Sequence, residues 1–165
     1  MIKVEITEDQ ISRAKDLYSF GNIKNSITKG GSNIYGAIGE VIVYDYFEEN
    51  DRVVKFDSTP DFDMIVNGKT IDVKTKRTSV PPLTSFNCSI SAHNTTQKCD
   101  YYVFVRVSED KKTGWILGYM SKSEFFKKAK FNRKGQKDPK FPAWKFAADC
   151  YNLEVSKLTT LKKES

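Results

Sequence analysis

The sequence is short of the residues that several common chemistries require. It has one histidine, His93, so histidine-based acid–base catalysis has little to work with, and a surface or capping role is expected of it. Its cysteines, Cys88, Cys99 and Cys150, are odd in number and lack metal-ligand spacing. They read as reduced thiols used as small buried hydrophobes, which suits a cytoplasmic compartment. Apolar runs such as VIVY at 41–44 are far too short to cross a bilayer, so no membrane partner is expected. The opening MIKVEITEDQ has no apolar core of the secretory kind. No internal repeat, low-complexity tract or linker interrupts the chain, and its 165 residues, 1–165, are expected to form one domain with a core of its own.

What is present is the composition of a globular protein, 39% hydrophobic and 29% charged, with a net charge of +6. The basic balance favours an anionic partner. Thr7-Glu8-Asp9-Gln10 reads as a capping box, and Ile11, Ala14, Leu17 and Tyr18 continue at helical spacing, which predicts a helix over about 8–19. GNIKNSITKGGSN (21–33) reads as a loop, with Lys24 and Lys29 as a candidate phosphate rail, and a second helix follows over about 33–48. Strands are expected at 52–56, 100–107, 115–120 and 151–155, and a short basic helix at 121–131. The expected class is α/β (α+β), a central mixed sheet flanked by helices.

The stretch PDFDMIVNGKTIDVKTK (60–76) carries the chemistry. Asn67-Gly68 is a strong two-residue hairpin signal, and it sets Val66 against Lys69, Ile65 against Thr70 and Met64 against Ile71. Continuing that register sets Asp63 against Asp72 and Asp61 against Lys74. One face then reads Phe62, Met64, Val66, Ile71 and Val73, a core face; the other reads Asp61, Asp63, Asp72 and Lys74. Like charges directly opposed destabilise a strand pair, so Asp63 and Asp72 need an offset. A hard divalent cation supplies one, and Lys74 sets an ammonium beside it. Glu40, on the mostly apolar helix IYGAIGEVIVY, is a carboxylate that should not be buried without a partner. Gly36 and Gly39 weaken that helix and suggest a close approach to a neighbour.

A helix with Gly39-Glu40, then Pro60-Asp61 or Asp63, then Asp72-Val73-Lys74 ending a hairpin resembles the PD-(D/E)xK, or restriction-endonuclease-like, nuclease superfamily. The resemblance spans about 33–107. It implies a restriction-endonuclease-like core and phosphodiester hydrolysis with Mg²⁺ or Mn²⁺, leaving a 5′-phosphate and a 3′-hydroxyl. It also implies that Asp63, Asp72 and the Val73 carbonyl hold the metal, with Glu40 bound through water or to a second ion. Lys74 would orient the attacking water and stabilise developing charge. The Pro-Asp dipeptide nominates Asp61 as the ligand and strand register nominates Asp63; register is preferred, with Asp61 as an outer partner. Gln97 and Tyr101, a Gln-x-x-x-Tyr spacing, resemble a motif of the lambda-exonuclease-like branch and are candidates for supporting roles.

FNRKGQKDPKFPAWK (131–145) interleaves Arg133, Lys134, Lys137, Lys140 and Lys145 with Phe131, Phe141 and Trp144. Cations there can contact phosphates, and aromatics can stack on unpaired bases or wedge into a junction. Lys76 and Arg77, just past the acidic hairpin, are further candidates for backbone contact. The expected function is a metal-dependent endonuclease acting on DNA, with a homodimer as one way to cut both strands. The alternatives are a non-catalytic nucleic-acid-binding protein on the same fold or, among nucleases, a branched-DNA resolvase or an exonuclease.

Overall fold

A computed structural model describes residues 1–24 and 33–162. The elements run β1 (Ile2–Glu5), α1 (Glu8–Lys24), α2 (Asn33–Glu49), β2 (Val54–Phe56), β3 (Met64–Val66), β4 (Lys69–Thr78) and β5 (Asn87–Ser91). They continue β6 (Tyr101–Ser108), β7 (Thr113–Ser121), α3 (Lys122–Lys128), β8 (Lys130–Asn132) and β9 (Cys150–Glu154). A six-stranded sheet has the order β1-β7-β6-β4-β3-β2, and a three-stranded sheet the order β5-β9-β8. β4 and β6 are parallel while the other pairs are antiparallel, so the larger sheet is mixed.

The two faces of that sheet bury different partners. α2 lays Ala37, Ile38, Val41 and Ile42 against Ile71, Val73, Val103, Val105 and Ile116. On the other face Tyr102, Phe104 and Leu117 meet Phe125 of α3 together with Ile90 and Leu153 of the small sheet. The alternation of side chains along β4 and β6 thus feeds two cores, as befits strands near the middle of a sheet covered on both sides.

Local signals explain the helix ends. The Thr7 hydroxyl accepts the Gln10 amide at 3.1 Å, and the Gln10 side-chain oxygen accepts the Thr7 amide at 3.1 Å. Such a reciprocal cap stabilises a helix start by about 1 kcal/mol. The Gln10 side-chain nitrogen also donates to Asp45 at 2.8 Å, and the Arg13 guanidinium grips both Asp45 oxygens at 2.7 and 2.6 Å, which fixes α1 against α2. Gly39 permits an even closer contact. A Cβ there would lie 1.9 Å from the Thr75 hydroxyl, so α2 rests almost directly on β4. Gly36 has open space around it, so of the two helix glycines only Gly39 answers to close approach.

Other differences from the sequence reading have physical causes. Residues 21–24 extend α1 rather than open a loop; Lys29 and the rest of 25–32 lie outside the described residues, and so does the side chain of Lys24. The helix expected over 121–131 ends at Lys128, and 130–132 turn extended as β8 pairs with β9. The basic stretch after it is a hydrogen-bonded ribbon instead of an irregular loop. Gly135 donates to Phe146 at 2.8 Å, Phe146 to Gln136 at 3.0 Å and Asp138 to Trp144 at 2.9 Å, with Lys137 bridging Lys145. β1 and β5 are absent from the expected strands, because alternation over only four and five residues gives little signal. Among the described residues no helix is long and apolar enough to cross a membrane.

Candidate active site

The hairpin turn forms as its dipeptide requires: Asn67 and Gly68 take φ of 47° and 79°, the left-handed pair of a type I′ turn. Pairing then follows the expected register through Val66–Lys69, Ile65–Thr70 and Met64–Ile71, and stops there. Asp63 does not form the next rung opposite Asp72. Its amide donates to the Ile71 carbonyl at 2.9 Å, and its carboxylate accepts the Val73 amide at 2.7 Å. A side chain thus replaces the backbone partner that β3 would have supplied. In an extended strand a residue's N–H and C=O point to the same edge, so the Val73 carbonyl looks toward Asp63 as well.

The interruption also corrects the face assignment. Phe62 packs with the core on the α3 side, whereas Met64, Val66, Ile71 and Val73 pack under α2. Thr59 causes the change of direction: its hydroxyl accepts the amides of Asp61 and Phe62, both at 3.1 Å, and bends the chain before β3. Asp61 does not meet Lys74. Its carboxylate accepts the Lys98 amide at 3.0 Å, which tethers the segment carrying Gln97.

Gln97 is bound into the site from that segment. Its side-chain oxygen accepts from Lys74 Nζ at 2.9 Å, and its nitrogen donates to Asp72 Oδ1 at 3.0 Å and to the Pro60 carbonyl at 3.2 Å. Lys74 Nζ lies 2.6 Å from Asp72 Oδ2, a close and largely buried ion pair. Tyr102, the register partner of Asp72, lies with its ring 5.9 Å from the Lys74 ammonium and its phenol close to the Cys99 thiol.

Glu40 reaches the same group from α2. Burial, then the charges of Asp63 and Asp72, push its carboxyl well above the usual range, and Lys74 only partly offsets them. Asp63 is pushed up to about 7 by burial and by Asp72, against the pull of the Val73 amide and Lys74. Burial raises Asp72 too, opposed by Lys74 and Gln97. Glu40 makes no hydrogen bond or ion pair of its own among the described residues. With Lys74 as the cation that opposes them, the three acids resist being ionised together.

Acids that resist joint ionisation at close quarters fit a hard cation with oxygen ligands. The side chains are not drawn in around one: among the described residues no group of three or more His, Cys, Asp and Glu stands close enough to hold a metal. Asp72 is turned to Lys74 and Gln97, and Asp63 to the Val73 amide.

Several expected residues lie elsewhere. Tyr101 is on the opposite face of β6, pairs with Ile71 and lines a cavity of about 490 Å³ with Tyr46, Val103 and Tyr119; it is not beside the acids. Lys76 shares the face of Asp72 and Lys74. Arg77 is on the α2 face, over the Tyr35 ring and 3.7 Å from Glu109. Arg133, Lys134 and Lys137 are exposed on the ribbon, Lys140 pairs with Glu154, and Trp144 stands 72% exposed. His93 is exposed on a short helical turn, and the three cysteines are buried and free. Tyr102 and Arg106 were missed, although Tyr102 follows from Asp72 once β4 and β6 are paired.

The chain matches no protein-family model, and no curated protein matches it.

Proposed function

We propose that the chain is a divalent-metal-dependent nuclease with a restriction-endonuclease-like core, hydrolysing phosphodiester bonds in DNA. What supports this reading most is the convergence of Glu40, Asp63 and Asp72, from a helix, a bent segment and a strand, beside Lys74. Charges so expensive to group are expected where they serve a purpose.

Asp63, Asp72, the Val73 carbonyl and Glu40 would hold Mg²⁺ or Mn²⁺. Such an ion acidifies water and neutralises charge on a phosphoryl oxygen. Lys74, beside Asp72, would offer its ammonium to the charge that grows on the phosphate oxygens. Gln97 keeps Lys74 and Asp72 aligned, since it touches both. Asp61 acts only through the Lys98 amide, as a positioning residue for Gln97. The exposed ribbon at 133–149 offers cations and Trp144 to the nucleic acid.

A non-catalytic nucleic-acid-binding protein is the second reading, and one observation favours it: Lys74 and Gln97 already satisfy most of Asp72. Incubation of linear, single-stranded, flapped and four-way DNA, and of RNA, with Mg²⁺, Mn²⁺ or EDTA separates the two. Cutting that needs metal and is lost in both Lys74→Ala and Asp72→Asn is the expected result. Cutting that persists in EDTA or survives both substitutions rejects the site, and binding without cutting in every condition selects the second reading.

A further inference from the structure

Two cations stand side by side on the site's face of the sheet without an acid paired to either. Lys76 of β4 and Arg106 of β6 are register partners on adjacent parallel strands, so their side chains leave the same face. Among the described residues neither has a carboxylate within ion-pair distance, and Asp138 draws on Lys76 only weakly, from farther off. Arg106 donates to the Asn87 carbonyl at 3.0 Å and lies over the Phe86 ring, and Lys76 reaches only the Ser89 hydroxyl, at 3.4 Å. The nearby Cys88 thiol does not neutralise them, because burial pushes it up to about 12 and keeps it protonated. Lys76 retains an exposed face but loses enough water to be drawn below its ordinary value, with repulsion from Arg106 adding to the effect. Burial draws Arg106 down as well.

Both cations line a cavity of about 220 Å³ whose wall includes Lys74 of the acidic site and the polar side chains of Asn87, Ser89 and Asn94. Lys74 and Lys76 are two residues apart on one strand face, about 6.6 Å along it. That separation is of the order of the distance between successive phosphates of a nucleic-acid strand.

We infer that this cavity is a phosphate subsite, taking the phosphate next to the one held at Glu40, Asp63 and Asp72, with Lys76 and Arg106 as its cationic floor. The inference rests on the nuclease reading and deepens it. β4 then sets the direction of the bound strand, from the acids at Asp72 past Lys74 to the cation pair. A phosphate placed there relieves the mutual repulsion of Lys76 and Arg106, so the site prefers a dianionic or diester oxygen cluster to water.

The test measures binding of a fluorescent duplex in EDTA, where metal-dependent cutting is stopped, over a range of salt. Lys76→Gln is expected to weaken binding several-fold near physiological salt and to reduce the slope of log K against log salt by about 0.9, the share of one phosphate contact. Lys76→Arg should restore both, and adding Arg106→Gln should weaken binding further. In Mg²⁺, duplexes with one neutral methylphosphonate beside the cut bond should be cut more slowly by wild type, with the difference lost in Lys76→Gln. Single strands ending in 5′-phosphate or 5′-hydroxyl show whether the subsite takes a terminal or an internal phosphate: sensitivity to Lys76 confined to the former means terminal. Folded Lys76→Gln protein that keeps wild-type affinity and slope overturns the subsite, and this variant decides alone if Arg106→Gln does not fold. Wild type that cuts DNA while the variants match it sinks the subsite only; wild type that neither binds nor cuts sinks the nuclease reading with it.

Discussion

Asp63 is expected to destabilise the metal-free protein at neutral pH, and replacing it should make the protein harder to melt. Its carboxyl is raised from an ordinary 3.8 to about 7. The folded state therefore holds this proton more tightly than the unfolded chain does. Stability falls as pH rises from about 4 to about 7, because the unfolded chain ionises freely while the folded site resists, and is level above that. Three pH units at 1.36 kcal/mol each set a ceiling of about 4 kcal/mol. The asparagine of an Asp63→Asn variant would avoid that cost and still accept the Val73 amide, whose preference for the charged form is already part of the shifted value. Relaxation of the neighbouring Glu40 and Asp72 lowers the ceiling, so a net gain of about 2 kcal/mol is expected above pH 7. For a chain of this size that is a rise in Tm of roughly 4–8 °C.

The assay is a set of thermal melts of wild type and Asp63→Asn between pH 4 and pH 8, in EDTA and again with Mg²⁺. In EDTA the two curves should converge near pH 4 and separate steadily up to pH 7. Mg²⁺ at a hundred times its Kd should reverse the order, since it would stabilise the wild type by about 2.7 kcal/mol and find no carboxylate at position 63 in the variant. A variant that melts below wild type at pH 8 in EDTA, or a gap that is the same at pH 4 and pH 8, refutes the electrostatic account of the site.

Gly39→Ala should lower stability by about 1–3 kcal/mol, read by urea unfolding, because its methyl group meets the Thr75 side chain and α2 must move off β4; any cutting activity should fall with it, as Glu40 is carried on the same turn. Trp144→Ala should leave the melting temperature within a degree or two, since the ring is 72% exposed, while weakening binding to single-stranded or flapped DNA by about 1–3 kcal/mol in anisotropy titrations. Equal loss on fully paired duplex would mean that Trp144 does not discriminate unpaired bases.

Much of the site could be read from residue order. Asn67-Gly68 fixed the turn, the alternation in MIV and TIDV fixed which residues enter the core beneath α2, and Gly39 announced the approach that delivers Glu40. These are local signals, each set by two to four residues. What stayed hidden depends on contacts between distant segments. The spacing to Tyr101 nominates Gln97, yet what ties it to the site is the Pro60 carbonyl and the Lys98 amide held by Asp61, 37 residues away. Tyr101 and Tyr102 are adjacent in sequence but lie on opposite faces, and only the pairing of β4 with β6 tells which one meets Asp72. Lys76 and Arg77 separate for the same reason.

The one place where the expected register fails is also where the acids gather. A fourth rung, Asp63 against Asp72, would have set two carboxylates directly opposite in a paired ladder. The chain instead begins β3 only at Met64 and uses the Asp63 carboxylate as the acceptor for Val73. That exchange leaves the β4 edge open beyond Ile71, turns the Val73 carbonyl toward the gap, and keeps Asp63 and Asp72 near each other without forcing them into register. A local rule is broken where backbone and carboxylate oxygens come together, and such breaks are expected at functional sites. Had the ladder continued, the Val73 carbonyl would be taken up in pairing and would be lost to the cation proposed above.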